Sequence, residues 1–109
     1  MSQAPSPLAD PIWDFDAELR RLVDRLRAMS VQQLGKASAA VHRACAELLG
    51  LSAALGDAAP TPLPRLRPNA LGDQLAVIGS DLRSAAIGAA DDSALSSATH
   101  VLVELRRSL

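Results

Sequence analysis

Apolar side chains recur along this chain at alternating intervals of three and four residues, in four separate stretches. That spacing places them along one face of an α-helix and is typical of helices that pack against other helices. The pattern therefore predicts four amphipathic helices. The inward positions of the first predicted helix are Ile12, Phe15, Leu19, Leu22, Leu26 and Met29.

The first two helices have clear boundary signals. Asp10 followed by Pro11 predicts a helix start, because the carboxylate accepts first-turn amides and proline suits the first helical position. Helix 1 is predicted from Pro11 to Ala28. A capping box of Ser30 and Gln33 starts helix 2 at Val31, and Gly56 ends it. The inward positions of helix 2 are Leu34, Ala37, Val41, Ala44, Leu48, Leu51 and Leu55.

Residues 57–68 are rich in proline, which excludes a continuous helix and predicts one long connection. Asn69 is predicted to cap helix 3, and Asp91 or Asp92 to cap helix 4. The inward positions of helix 3 are Leu71, Leu75, Ile78, Leu82, Ala85 and Ala89, and those of helix 4 are Leu95, Ala98, Leu102, Leu105 and Leu109.

These elements predict an all-α fold, a four-helix bundle made of two helical hairpins joined by a Pro-rich loop. The simplest arrangement runs up-down-up-down, although the loop is long enough for a crossing connection. Residues 11–109 are expected to form a single domain, and residues 1–10 a disordered N-terminal tail.

Composition narrows the function classes. The formal net charge is -1, and aromatic residues make up 2% of the chain. Nucleic-acid binding is not expected, because binders of that kind concentrate basic charge on one face. Lys36 is the only lysine among eleven basic residues, a bias typical of GC-rich bacterial genomes.

Two further features of the chain indicate its cellular compartment. The single cysteine, Cys45, favours a reducing compartment. We see neither a signal peptide nor a membrane-spanning stretch, so we expect a cytoplasmic protein without a membrane partner.

The residues that carry chemistry are few. His42 with Cys45 and His100 with Glu104 have spacings that supply zinc ligands on helices. The two histidines lie off the inward face, with His100 pointing away from the core, and Cys45 is expected to pack as a small apolar side chain, so we expect no metal and no cofactor. The predicted core also lacks a polar group to orient a substrate, which favours a non-catalytic protein over an enzyme.

Two short patterns resemble known helical families. His42 on a helix resembles the exposed histidine of histidine phosphotransfer domains, although Cys45 and Ala46 stand where that family carries lysine and glycine. The run Gly79-Ser-Asp-Leu-Arg-Ser-Ala-Ala86 resembles a helix of the small secreted proteins of type VII secretion systems. These resemblances imply, as alternatives, a phosphotransfer or ligand-binding bundle and a relative or partner of that secretion machinery.

The feature we weigh most is an excess of apolar side chains off the inward faces, above all on helices 3 and 4. Small residues around Val77 and Ile87, including Gly79, suggest a strip that a neighbouring helix covers. We therefore expect an interaction module that binds a second copy, as a homodimer, or another protein. The candidate interface residues are Trp13, Val77, Ile87, Val101 and Val103, with Arg65 and Arg67 in the loop as a docking point for an acidic partner.

Overall fold

The computed structural model describes residues 10–56 and 68–109. In these ranges the chain forms four α-helices, a short 3-10 turn and no β-strand, so the predicted all-α four-helix bundle is confirmed. Residues 1–9 of the tail that was predicted to be disordered, and residues 57–67 of the Pro-rich loop, lie outside the described residues. The helices are α1 (Pro11–Ala28), α2 (Val31–Leu55), α3 (Leu71–Gly88) and α4 (Asp92–Ser108).

Local side-chain hydrogen bonds fix the starts of α1 and α2 as predicted. The Asp10 carboxylate accepts from the amide of Ile12 at 2.9 Å and from that of Trp13 at 3.4 Å. Ser30 and Gln33 form the reciprocal capping box, at 3.1 and 2.9 Å. Each bond satisfies an amide that the first turn of a helix leaves without a backbone partner.

The start of α3 differs from the prediction. Asn69 is not its cap, because the chain enters α3 through the 3-10 turn Pro68–Ala70 and places Ala70 at the N-cap without a side-chain hydrogen bond. At α4 the prediction is confirmed, since the Asp91 carboxylate accepts from the amide of Ala94 at 2.9 Å.

The core is formed by the inward faces of all four helices. Phe15, Leu22, Leu48, Leu82 and Leu102 are among its large, fully buried side chains. Several predicted inward residues at the helix ends, including Ile12 and Met29, are only partly buried. Within the described ranges, no helix combines the length and apolar character that crossing a membrane requires.

Helices α1 and α3 pack closely and antiparallel. A Cβ atom added at Gly79 would lie 2.8 Å from both terminal methyl carbons of Leu19, and one added at Gly72 would lie 3.6 Å from Cβ of Leu26. From Leu19 to Leu26 the chain advances seven residues along α1, whereas the facing glycines, Gly79 and Gly72, go back seven residues along α3. The two helices are therefore antiparallel. The two glycines remove the side chains that would hold the helices apart.

Helix α4 runs parallel to α1 and antiparallel to α2. Trp13 and Thr99 border one groove between α1 and α4, and Arg25 and Ser108 border another nearer the C-terminal ends of both helices. Along α2 the order reverses, because its middle faces the last turns of α4 and its C-terminal end faces the first turn of α4.

These directions fix the topology. Because α3 is antiparallel to α1 and α2 is antiparallel to α4, the helices run up-down-down-up rather than in the up-down-up-down order that the sequence favoured. The most extensive packing joins α2 to α3 and α1 to α4, whereas the consecutive helices α1 and α2 contact each other little. The end of α2 and the start of α3 therefore lie at opposite ends of the bundle.

The connection is long enough for this arrangement. Residues 57–67 reach at most about 36–40 Å when extended, and an 18-residue helix such as α3 is about 27 Å long. Hydrophobic spacing defines which face of a helix is buried but not the direction of its neighbour, so the pattern alone left the topology open.

The left-handed residue between α3 and α4 gives a first prediction. Ala90 has φ 52°, and the Asp91 amide donates to the Ala86 carbonyl oxygen at 2.9 Å, as in a Schellman motif. Glycine adopts this conformation without the cost of a Cβ atom, so Ala90→Gly should raise the free energy of unfolding by about 1 kcal/mol. Urea denaturation measures the change. Ala89→Gly, at a residue with φ -89°, is the control, and an equal gain there would contradict this explanation.

The close approach of α1 and α3 gives a second prediction. Gly79→Leu places a new side chain where Leu19 lies and should lower the free energy of unfolding by about 1–3 kcal/mol through overpacking. Gly35→Leu on α2 is the control, because a Cβ atom there meets nothing within 4 Å. Thermal and urea denaturation compare the two variants. Equal stability of both would show that Gly79 is not a close-packing position.

Candidate interaction surface

A buried carboxylate joins α1 to α4. The Glu18 side chain is 5% exposed. Nε of Arg106 donates to its two oxygens at 3.1 and 3.2 Å, and Nη1 of Arg21 lies 3.3 Å from Oε2. Both carboxylate oxygens are therefore engaged by arginine, so this group is built to hold two helices together rather than to act as a base.

Sequence reasoning missed this residue by treating the core as entirely apolar. Glu18 and Gln74 are buried polar side chains, so the expectation of a core without polar groups was wrong. A signal was present, because Glu18 lies three residues after Phe15 and four before Leu22, on the same helical face as both. An acidic residue at such a position predicts a basic partner on a neighbouring helix.

Two further ion pairs bind α1 to α3. Nε of Arg83 lies 2.7 Å from Oδ1 of Asp16, and Nη2 of Arg27 lies 2.8 Å from Oδ1 of Asp73. The pKa of Arg83 is raised by its hydrogen bond to Asp16 and by the attraction of that charge. These pairs flank the glycine contacts and define where the seam between α1 and α3 meets solvent.

Two predicted interface residues are exposed toward the same end of the bundle. Trp13 is 60% exposed and Ile87 is 41% exposed. Trp13 lies one turn before Asp16, and Ile87 lies one turn after Arg83. Because α1 and α3 are antiparallel, moving back along α1 from Asp16 and forward along α3 from Arg83 leads to the same end of the bundle. We call Trp13 and Ile87 the end patch.

The other predicted interface residues are dispersed. Val77 is 60% exposed on the outer side of α3, more than two turns from Ile87. Val101 is partly buried against the core, where it borders the grooves between α2 and α4. Val103 is half-buried on α4. Arg65 and Arg67 lie outside the described residues.

Part of the strip proposed around Val77 and Ile87 is covered by another helix of the same chain. Gly79 is buried under Leu19 of α1, so it does not receive an external helix. Val31 is 70% exposed at the start of α2 and was not predicted as an interface residue. Its position beside the capping serine had been interpreted only as a helix boundary.

The groups considered for chemistry do not form a reactive site. Cys45 is buried, and burial raises the pKa of its thiol to about 11, so the nucleophilic thiolate is scarce at neutral pH. Nε2 of His42 is buried and has no hydrogen-bond partner. Across residues 10–56 and 68–109, no group of three or more metal-ligating side chains comes together.

A large groove lies between α2 and α4. It has a volume of about 660 Å³ and is lined in part by Glu47, Leu51, His100 and Val101. The groove is open to solvent, and Glu47 and His100 are exposed. It therefore offers no enclosed chamber of the kind that sequesters a small substrate.

Comparison with known proteins adds no relative. No protein-family model, no curated protein and no solved structure matches this chain. The surface of the bundle therefore provides the evidence on function.

The buried carboxylate gives a third prediction. Glu18→Ala leaves the partly buried Arg106 without its main partner and should lower the free energy of unfolding by about 1–3 kcal/mol. Glu104→Ala is the control, because Glu104 pairs with Arg107 at 3.3 Å with both side chains exposed. Exposed pairs of that kind contribute about 0–1 kcal/mol. Urea denaturation of both variants checks the difference, and equal losses would contradict a special role for Glu18.

Proposed function

We propose that this protein is a non-catalytic interaction module that binds another protein chain through the end patch of Trp13 and Ile87. The observation that carries the proposal is the placement of these two large, exposed apolar side chains at the same end of the bundle. Tryptophan is enriched among residues that dominate binding energy at protein interfaces.

The arrangement of the remaining polar groups supports binding rather than catalysis. Glu18 is held by two arginines, and the Cys45 thiol is buried with a raised pKa. A catalytic site needs an accessible nucleophile or base beside a chamber for substrate. The grooves of the described residues are instead open and lie along the surface.

The proposal also covers the class of partner, the cellular location and the source of the protein. The partner is another protein or a second copy, and Arg65 and Arg67 offer a docking point for an acidic chain. The lone Cys45 supports a cytoplasmic location, and the arginine bias supports a bacterial source. Neither nucleic acid nor a membrane is proposed as a partner.

Phosphotransfer and secretion are less well supported. A phosphotransfer histidine must present a ring nitrogen to its partner, whereas Nε2 of His42 is buried. The run that resembles type VII secretion proteins has a packing explanation, because Leu82 is in the core and Arg83 binds Asp16. The end patch therefore remains the feature that most needs a functional explanation.

Quantitative capture from the native host tests the proposal. Tagged wild-type protein should retain one or more chains, its own included, that Trp13→Glu and Ile87→Glu each lose by at least about tenfold. Val77→Glu is the matched control, since Val77 is as exposed as Trp13 but lies away from the end patch. Mass spectrometry quantifies the retained chains. Capture that ignores both end-patch substitutions would contradict the proposal.

A further inference from the structure

The side of α1 that faces away from the bundle carries a regular stripe of residues. Trp13, Ala17, Arg20, Asp24 and Ala28 follow one another at intervals of four, three, four and four residues, so they share one face of the helix. This face is opposite the buried face of α1. We call these five residues the outer face of α1.

The charges of this face are not used within the described part of the chain. Three other charged groups of α1 are engaged by neighbouring helices, since Asp16 and Arg27 pair with α3 and Glu18 pairs with α4. Arg20 and Asp24 are both exposed and take part in no ion pair among residues 10–56 and 68–109. One positive and one negative side chain therefore stand one turn apart, both available to an external partner.

The charge pattern of Arg20 and Asp24 on one copy is complementary to the same pattern on a second copy related by a two-fold axis. If two copies of α1 lie antiparallel with the axis between these residues, Arg20 of each copy faces Asp24 of the other. A two-fold interface uses the same surface on both copies and therefore requires self-complementary charge of this kind. The net charge of -1 per chain adds little repulsion between copies.

The remaining residues of the outer face fit the same arrangement. The small side chains of Ala17 and Ala28 let two helices approach closely. Trp13 lies nine residues from the axis, which is about 14 Å along the helix. Its large side chain would therefore lie just past the C-terminal end of the partner copy's α1, beside the exposed Val31 of that copy.

From these observations we infer that the outer face of α1 binds a second copy of this chain, with the two α1 helices antiparallel and Arg20 of each paired with Asp24 of the other. The inference rests on the proposed function as an interaction module, and it names the partner. It also assigns roles within the interface, with Trp13 as the apolar anchor and the charge pair as the group that sets register and direction.

Charge reversal tests both the interface and its symmetry. In Arg20→Asp, two acidic groups face two acidic groups across the axis, and in Asp24→Arg four basic groups meet. Each single variant should therefore dimerise at least about tenfold more weakly than wild type. Sedimentation velocity measures the dimer fraction, and circular dichroism confirms that each variant is folded.

Mixing the two single variants provides the decisive measurement. A heterodimer of Arg20→Asp with Asp24→Arg restores both opposite-charge contacts, so native mass spectrometry should find the heterodimer in excess over both homodimers. The double variant Arg20→Asp/Asp24→Arg should recover the wild-type dimer fraction for the same reason. Arg43→Asp is the control, because Arg43 is exposed on α2 and should leave the dimer unchanged.

Three results would overturn the inference. Wild type that is monomeric at 200 µM would exclude self-association, while capture of another protein through Trp13 would leave the proposed function intact. If the wild type dimerises and both charge-reversal variants keep the same dimer fraction, the interface lies elsewhere. Single variants that stay monomeric when mixed, together with a double variant that stays monomeric, would rule out the antiparallel pairing of Arg20 with Asp24.

Discussion

The buried ion pair of Glu18 with Arg106 is the constraint on which the arrangement of helices depends. A carboxylate removed from water is costly unless charged donors bind it. Arg106 lies in the last turn of α4, so satisfying Glu18 brings that turn beside the middle of α1. The residues that line the two grooves between α1 and α4 show that the helices run parallel, and the ion pair holds α4 at this position along α1. Gly72 and Gly79 let α1 pack closely against α3, because neither residue has a side chain to hold the two helices apart.

This attachment determines which part of α1 remains available for binding. The helix is held on one flank by α3 and on the other by Glu18, so most of its outer face stays in solvent, with Ala17 half-buried. Trp13 is exposed because it lies on this outer face, opposite the buried side chains of Phe15 and Leu22. The function proposed for the protein thus follows from how one helix is anchored, and requires no cavity inside the bundle.

Much of the fold was predictable because its signals are local. The Asp10 cap, the capping box of Ser30 and Gln33 and the Asp91 cap each act within one helical turn, and the helices begin where they indicate. The direction of α3 and α4 depends on contacts between residues far apart in sequence, as between Glu18 and Arg106, and no local pattern encodes it. The candidate surface was found in part: Trp13 and Ile87 were named from apolar excess, but their proximity emerges only from the antiparallel register of α1 and α3.

The parallel direction of α1 and α4 is the central structural claim, and distances between spin labels test it most directly. In a Cys45→Ala background, labels at residues 25 and 108 should be close, because both residues border one groove. Labels at residues 25 and 93 should lie more than about 10 Å farther apart, since positions 93 and 108 are about 22 Å apart along α4. Pulsed electron paramagnetic resonance measures both distances. A shorter distance for 25 and 93 than for 25 and 108 would show that α4 runs antiparallel to α1 and would contradict this account.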